Sequence, residues 1–304
     1  MSRSEPSKVL LTIDGNNLCR RMLYGAKPLS HKGQYTHAIY GSLQKIEDLI
    51  KKVKPTHLNV AFDMGGKNFR HKLYEAYKGN RAEDRAKAEK TKPKLPHQTE
   101  ETFHWQLARL QELLPHLGYH LLMKRGWEAD DYIGSSAYQF VQRYSDAHSY
   151  MWGGDKDFSA VVEKRITHIY PITYVPGQDN HEWLDRKGVF EKFGVKPEQM
   201  TDYLAMMGDK IDNVPGVQGI GPVTARSLLA EYGSVERILR NLDKLTPTVR
   251  GNFERCGKEK LRLYVQVIKI DLKLDLRFSK MKLRPDNGDP ERAERLKRKL
   301  GIRT

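Results

Sequence analysis

Three short apolar runs, each closed by an acidic residue, constrain this chain more than any other feature. Residues 9–13 (Val-Leu-Leu-Thr-Ile) end at Asp14-Gly15, and residues 58–62 (Leu-Asn-Val-Ala-Phe) end at Asp63. Residues 149–152 form a weaker third run that ends at Gly153-Gly154-Asp155. Runs this short and apolar read as buried strands. Helix-like stretches lie between them, at residues 38–52 and 101–114. The alternation predicts an α/β fold with a mostly parallel sheet and helices on both faces. Ligands of such sheets bind beyond the carboxyl ends of the strands. One Asp after a strand is ordinary turn or helix-cap chemistry, but three at one sheet edge call for another reason.

More acids follow. Gly126-Trp127-Glu128-Ala129-Asp130-Asp131 opens a helix-like segment, and on a helix Glu128 and Asp131 share a face. Gly154-Asp155-Lys156-Asp157 carries two carboxylates two residues apart, and Gly208-Asp209-Lys210-Ile211-Asp212-Asn213 carries two spaced by three. Nine acids result: Asp14, Asp63, Glu128, Asp130, Asp131, Asp155, Asp157, Asp209 and Asp212. Crowding them without a cation would be strongly repulsive. Oxygen donors alone, without His or Cys, point to a hard ion such as Mg²⁺ or Mn²⁺. Two such ions can activate water and stabilise the leaving oxygen of a phosphodiester.

The acids stand out because the chain as a whole is basic. Over 304 residues, 53 Lys and Arg outnumber 38 Asp and Glu, giving a formal charge of +15 and a pI near 9.6. A polyanion is the expected partner. Bases concentrate in residues 67–95, which include Arg70, Lys78, Arg81, Arg85 and Lys87 among few apolar residues. That segment reads as a basic surface element able to touch phosphates. Cys19 and Cys256 form no zinc or disulfide spacing. No apolar run approaches the ~20 residues that span a bilayer, so the expectation is a cytoplasmic protein without a membrane partner.

Residues 214–225 contain Gly216, Gly219 and Gly221 in the order G-x-x-G-x-G. A dinucleotide fingerprint needs G-x-G-x-x-G after a strand, and this segment follows an acidic loop instead. A hairpin between two helices fits better. Its backbone N–H groups at Gly216, Gly219, Ile220 and Gly221, with Thr224 at the start of the next helix, can hold a DNA phosphate without reading bases. Residues 290–301 look like one amphipathic helix.

These motifs, in this order, resemble the 5′-nuclease family: Asp14-Gly15-Asn16-Asn17, Phe62-Asp63, Tyr77-Lys78-Gly79-Asn80-Arg81, Glu128-Ala129-Asp130-Asp131, Gly154-Asp155-Lys156-Asp157, residues 207–213 and the glycine hairpin. That family includes the N-terminal domain of bacterial DNA polymerase I and stand-alone phage and bacterial flap endonucleases. The resemblance implies a PIN-like catalytic domain over residues 1–175, a helical arch at about 78–100, and a helical DNA-binding subdomain of the helix-hairpin-helix (H3TH) type over residues 176–304. It implies two Mg²⁺ ions, replaceable by Mn²⁺. Asp14, Asp63, Glu128, Asp130 and Asp155 would hold one, and Asp131, Asp157, Asp209 and Asp212 the other. Lys78 and Arg81 would contact the scissile phosphate, with Arg21 near the 5′ side of the cut. Arg70, Arg85 and Lys87 would meet DNA, and the hairpin could bind K⁺. Substrates would be DNA with 5′ flaps, nicks or free 5′ ends, and RNA–DNA hybrids such as primers in replication and repair. The resemblance further implies a free-standing monomer in a bacterium or phage-infected cell. A PIN-type ribonuclease and a non-catalytic, structure-specific DNA-binding protein are the alternatives.

Overall fold

A computed structural model describes residues 6–80, 95–173, 180–283 and 287–302. Its centre is a six-stranded sheet of order β5-β4-β1-β6-β7-β8. The strands are β1 (Lys8–Asp14), β4 (His57–Ala61), β5 (His120–Leu122), β6 (Ala147–Trp152), β7 (Ile166–Pro171) and β8 (His181–Leu184), and a small separate hairpin supplies β2 (Ser30–His31) and β3 (Gln34–Tyr35). Strands β5 to β7 run parallel, and β8 returns antiparallel to β7. The three runs read from sequence are therefore neighbours, with β1 between β4 and β6. Strand order reverses at β1, because β4 and β5 extend the sheet on one side and β6 on the other. That is the switch point at which a crevice opens.

Side-chain alternation along β1 feeds two cores. Leu10 enters one, while Val9, Leu11 and Ile13 enter the other. Each fully buried Leu or Ile contributes roughly 1.5–3 kcal/mol relative to exposure. The second core lies under α1 (Gly15–Gly25), α2 (His37–Val53), α4 (Glu100–His116) and the C-terminal α13 (Pro290–Lys299). A short α3 (Phe69–Leu73) follows β4. The first core lies under α5 (Ala129–Arg143) and continues into a helical unit: α6 (Arg186–Phe193), α7 (Met200–Met207), α8 (Pro222–Tyr232), α9 (Val235–Arg240), α10 (Pro247–Cys256), α11 (Lys258–Ile268) and α12 (Phe278–Met281).

The expected break at residue 175 is corrected. Strand β8 belongs to the sheet, so the α/β unit extends at least to Leu184. Most of the expected arch, with Arg81, Arg85 and Lys87, lies outside the described residues. Of its expected C-terminal part, Pro96–Gln98 is a 3-10 turn leading into α4.

Residues 269–277 link α11 to α12 and run along α5. Ser135 Oγ donates to the Asp271 carbonyl, and Gln139 Nε2 donates to the carbonyls of Leu272 and Leu274 at 2.9 and 2.8 Å. This strap makes one body of the α/β and helical units.

Candidate active site

The strand-end acids sit where the sheet opens, and each also does local structural work. Asp14 caps α1 by accepting the Asn17 N–H at 2.9 Å. Asp63 accepts the Ala129 N–H at 2.8 Å, and so caps α5 from another segment. Its own N–H is held by Asn16 Oδ1 at 3.0 Å. Asp155 accepts the Asp157 N–H at 2.9 Å and starts the 3-10 turn Lys156–Val161.

Electrostatics ties these acids together. Burial, then repulsion from Asp63 and Asp155, raises the Asp14 carboxyl to about 7. Burial and the charges of Asp155, Asp63 and Asp14 push Asp130 well up. Asp155 rises through burial and repulsion from Asp209, and Asp157 through burial and its neighbours Asp155, Asp212 and Asp209. Two overlapping sets emerge. Asp14, Asp63, Asp130 and Asp155 feel one another, as do Asp155, Asp157, Asp209 and Asp212.

Lysines stand between the carboxylates. Lys78 Nζ lies 2.5 Å from Glu128 Oε1 and 3.7 Å from Asp212 Oδ1. Lys156 Nζ lies 2.9 Å from Asp209 Oδ2. Burial works against the charged form of Glu128, yet Lys78 and Arg70 hold its carboxyl below the usual range. Asp209 is likewise held low against burial, by Lys156 and the N–H groups of Ile211 and Asp212. The Tyr77 hydroxyl is 2.9 Å from Glu128 and 3.2 Å from Asp212. One phenolic proton serves two acceptors there, and burial with both acids raises its pKa far above normal. Beside this cluster opens a cleft of about 230 Å³ lined by Asp63, Gly65, His71, Lys78, Trp127 and Glu128.

Asp131 and Arg70 do not take the places expected of them. Asp131 is fully buried in a bidentate pair with Arg70 at 2.7 and 2.8 Å, and the same guanidinium lies 3.4 Å from Glu128 Oε2. Asp131 also accepts the Asp271 N–H at 2.9 Å. Both of its oxygens are engaged within the fold. Arg70 is 2% exposed, so it cannot be a DNA contact. Its Nε donates to the Val267 carbonyl and its Nη2 to that of Lys269. Arg21, expected near the cut, donates from Nη2 to the Ile172 carbonyl at 2.7 Å, just past β7.

The hairpin is stapled to the acidic loop. Asp209 and Val214 exchange backbone hydrogen bonds of 2.7 and 2.8 Å. Gly216 is required by packing: its φ is +71°, and a Cβ there would lie 2.4 Å from the Gly208 nitrogen. Gly216 is therefore buried and not free to meet DNA, and the Ile220 side chain joins the core. Gly219 and Gly221 are exposed and Thr224 partly so, which leaves these as the hairpin's outward groups.

Sequence reasoning missed Tyr77, Lys156 and Asn213. Lys156 carried a weak signal, a lone base between two acids in Gly-Asp-Lys-Asp. Tyr77 and Asn213 have partners distant in sequence, Glu128 and Asp212 for the first and the Ala76 carbonyl for the second, which no local pattern reports.

Comparison with known proteins agrees with this architecture. Residues 9–194 match the N-terminal resolvase-like domain of 5′-3′ exonucleases, and residues 195–291 match their C-terminal SAM fold. A 5′-3′ exonuclease of Aquifex aeolicus is 37% identical over 294 residues, covering 96% of this chain and 91% of the relative. The thermostable DNA polymerase I of Thermus aquaticus is 34% identical over 278 residues, 91% of this chain but 30% of the polymerase. In fold, the chain is similar to a bacteriophage T5 5′-exonuclease with divalent metal ions (zinc) bound, with a TM-score of 0.68 at 22% identity, covering 87% of this chain and 90% of that one. It is also similar to the catalytic core of Rad2 in complex with DNA substrate, with a TM-score of 0.56 at 15% identity, covering 98% of this chain and 91% of that one. Strand-end acids, stapled hairpin and two successive domain matches lead to one assignment: this chain belongs to the 5′-3′ exonuclease family of 5′ nucleases.

Proposed function

We propose that this nuclease hydrolyses DNA phosphodiesters at 5′ flaps, nicks and free 5′ ends, RNA–DNA hybrids included, with two Mg²⁺ ions that Mn²⁺ can replace. One observation carries the reading. Asp209 belongs to the carboxylate cluster and is also hydrogen-bonded, through its backbone, to the hairpin that would grip the duplex. Cutting and holding thus meet at one residue. A phage flap endonuclease of the same fold has been solved as a complex with DNA and metal ions, which supports the substrate and ion class.

The residues fit such ions. All donors are hard oxygens. Asp157 Oδ1 is buried without a hydrogen-bond partner among the described residues. Burial and mutual repulsion disfavour charge on Asp14, Asp130, Asp155 and Asp157, an arrangement that divalent cations would relieve. As they stand, no three described His, Cys, Asp or Glu side chains converge tightly enough to hold an ion alone, and Lys78 and Lys156 lie among them. Asp14, Asp63, Glu128, Asp130 and Asp155 would hold one ion, and Asp157, Asp209 and Asp212 the second. Bound there, the ions would acidify a water and stabilise charge on the phosphate.

The chain's own groups would position the substrate. Lys78 and Arg81 would meet the scissile phosphate, where a compact ammonium strengthens its contact as oxygen charge grows. Exposed backbone at Gly219 and Gly221 would hold a duplex phosphate irrespective of base, with K⁺ bridging through hairpin carbonyls. In this reading the protein works in replication and repair, as a monomer in the cytoplasm of a bacterium or phage-infected cell. The test is a 5′-labelled flap and a nicked duplex, each with Mg²⁺ and with EDTA. Mg²⁺-dependent release of short 5′ products is expected. Undiminished cutting in EDTA would overturn the ion reading.

A further inference from the structure

The turn that carries Lys78 is fastened to the acidic loop by hydrogen bonds to Lys210, Asp212 and Asn213. Asn213 Nδ2 donates to the Ala76 carbonyl at 2.7 Å. The same carbonyl accepts the Gly79 N–H at 3.0 Å and so closes the turn. The Lys78 N–H donates to the Asp212 carbonyl at 3.0 Å, and Asn80 Nδ2 donates to the Lys210 carbonyl at 2.8 Å. Lys78 and Asn213 are both left-handed, with φ of 55° and 58°. Asn tolerates that region and Lys does so poorly. A lysine in that conformation persists only where its surroundings enforce it. The enforcing contacts come from residues 210–213, the loop that also carries Asp209 and Asp212.

We infer that Asn213 is a positioning residue: by holding the Ala76–Gly79 turn it sets Lys78 between Glu128 and Asp212, ready for the phosphate. The inference rests on the proposed role of Lys78. Asn213 has no need to touch substrate. It acts on the rate through the backbone of the turn.

The test is a double-mutant cycle on flap cleavage. Asn213→Asp keeps shape and tolerance of the left-handed region but turns a donor toward Ala76 into an acceptor. Asn213→Gly keeps the backbone conformation and removes the side chain. Lys78→Ala and both double variants complete the set. Single-turnover rates are measured with Mg²⁺, flap binding with Ca²⁺, and folding by circular dichroism and melting. Asn213→Asp should slow cleavage on the order of ten-fold, with flap affinity changed less than about three-fold. In the Lys78→Ala background it should cost nothing further. If the two losses multiply, or if affinity falls as far as rate, Asn213 does not act through Lys78 and the inference is overturned. Should Asn213→Asp fail to fold, the Asn213→Gly cycle decides by the same criterion, and wild-type rates in both folded variants also overturn it. A Lys78→Ala enzyme at full speed would instead remove Lys78 from the chemistry, a separate failure.

Discussion

Both carboxylate oxygens of Asp131 are gripped by both terminal nitrogens of Arg70, at 2.8 and 2.7 Å, with the Asp 0% and the Arg 2% exposed. Through the same guanidinium, α3 is tied to the end of α11 at Val267 and Lys269. This acid, one residue from Asp130, therefore belongs to the scaffold that carries the site.

Removing one partner of a buried ion pair strands the other, typically at about 3–5 kcal/mol. Asp131→Ala should therefore lower unfolding free energy by that order, read from urea melts without metal. A loss below about 1 kcal/mol would show the pair to be dispensable and return Asp131 to the list of possible ion ligands.

Asp155→Ala should behave in the opposite way. Burial and the charge of Asp209 raise its carboxyl, so it is a source of repulsion in the metal-free fold. Loss of its hydrogen bond to the Asp157 N–H offsets part of that relief, so the variant should melt close to wild type in EDTA while losing nearly all cleavage in Mg²⁺. Near-normal turnover would remove Asp155 from catalysis.

Divalent ions should stabilise the fold by discharging the same acids. At a free concentration 100 times Kd, the gain is about 2.7 kcal/mol. A melting temperature that climbs with Mg²⁺, and an increment that disappears in Asp155→Ala, are expected. A melting temperature indifferent to Mg²⁺ would contradict the ion-binding cluster.

His168 supplies a pH test. It is buried between Ser159 and the Gly153 carbonyl, and burial lowers its pKa to about 4. Because the folded value lies below the unfolded ~6.5, the unfolded chain binds the extra proton first. Stability is full above about pH 6.5 and falls as pH drops toward 4, by about 3 kcal/mol in all. His168→Gln can still donate to Gly153 and should lose less between pH 6.5 and 4. The difference between the two urea-melt profiles isolates this residue from acids such as Asp14, whose raised value acts in the opposite sense. Identical slopes would exclude His168 as the source.

The three strands and the acids at their ends were legible because a buried parallel strand is mostly apolar and uncharged along its length. Its first acidic residue then marks the sheet edge. The hairpin was legible from glycine spacing, although spacing could not tell Gly216, which is packed against Gly208, from the exposed Gly219. Asp131 was misread because helical spacing from Glu128 shows which residues share a face but not what that face meets. Arg70 looked like one more base in a basic segment. Its partners at Asp131, Val267 and Lys269 are 61, 197 and 199 residues away, and no local pattern encodes them.

The paired hydrogen bonds between Asp209 and Val214 also set a measure. Only four residues separate the two, and the backbone between them is closed on itself rather than strung as a tether. If the hairpin holds the duplex as proposed, the span from there to the carboxylates is a fixed length of protein. In the proposed reading the enzyme does not search along its substrate for a bond to break. It counts from where it holds, as a ruler counts from its stop, and product length becomes a property of the fold.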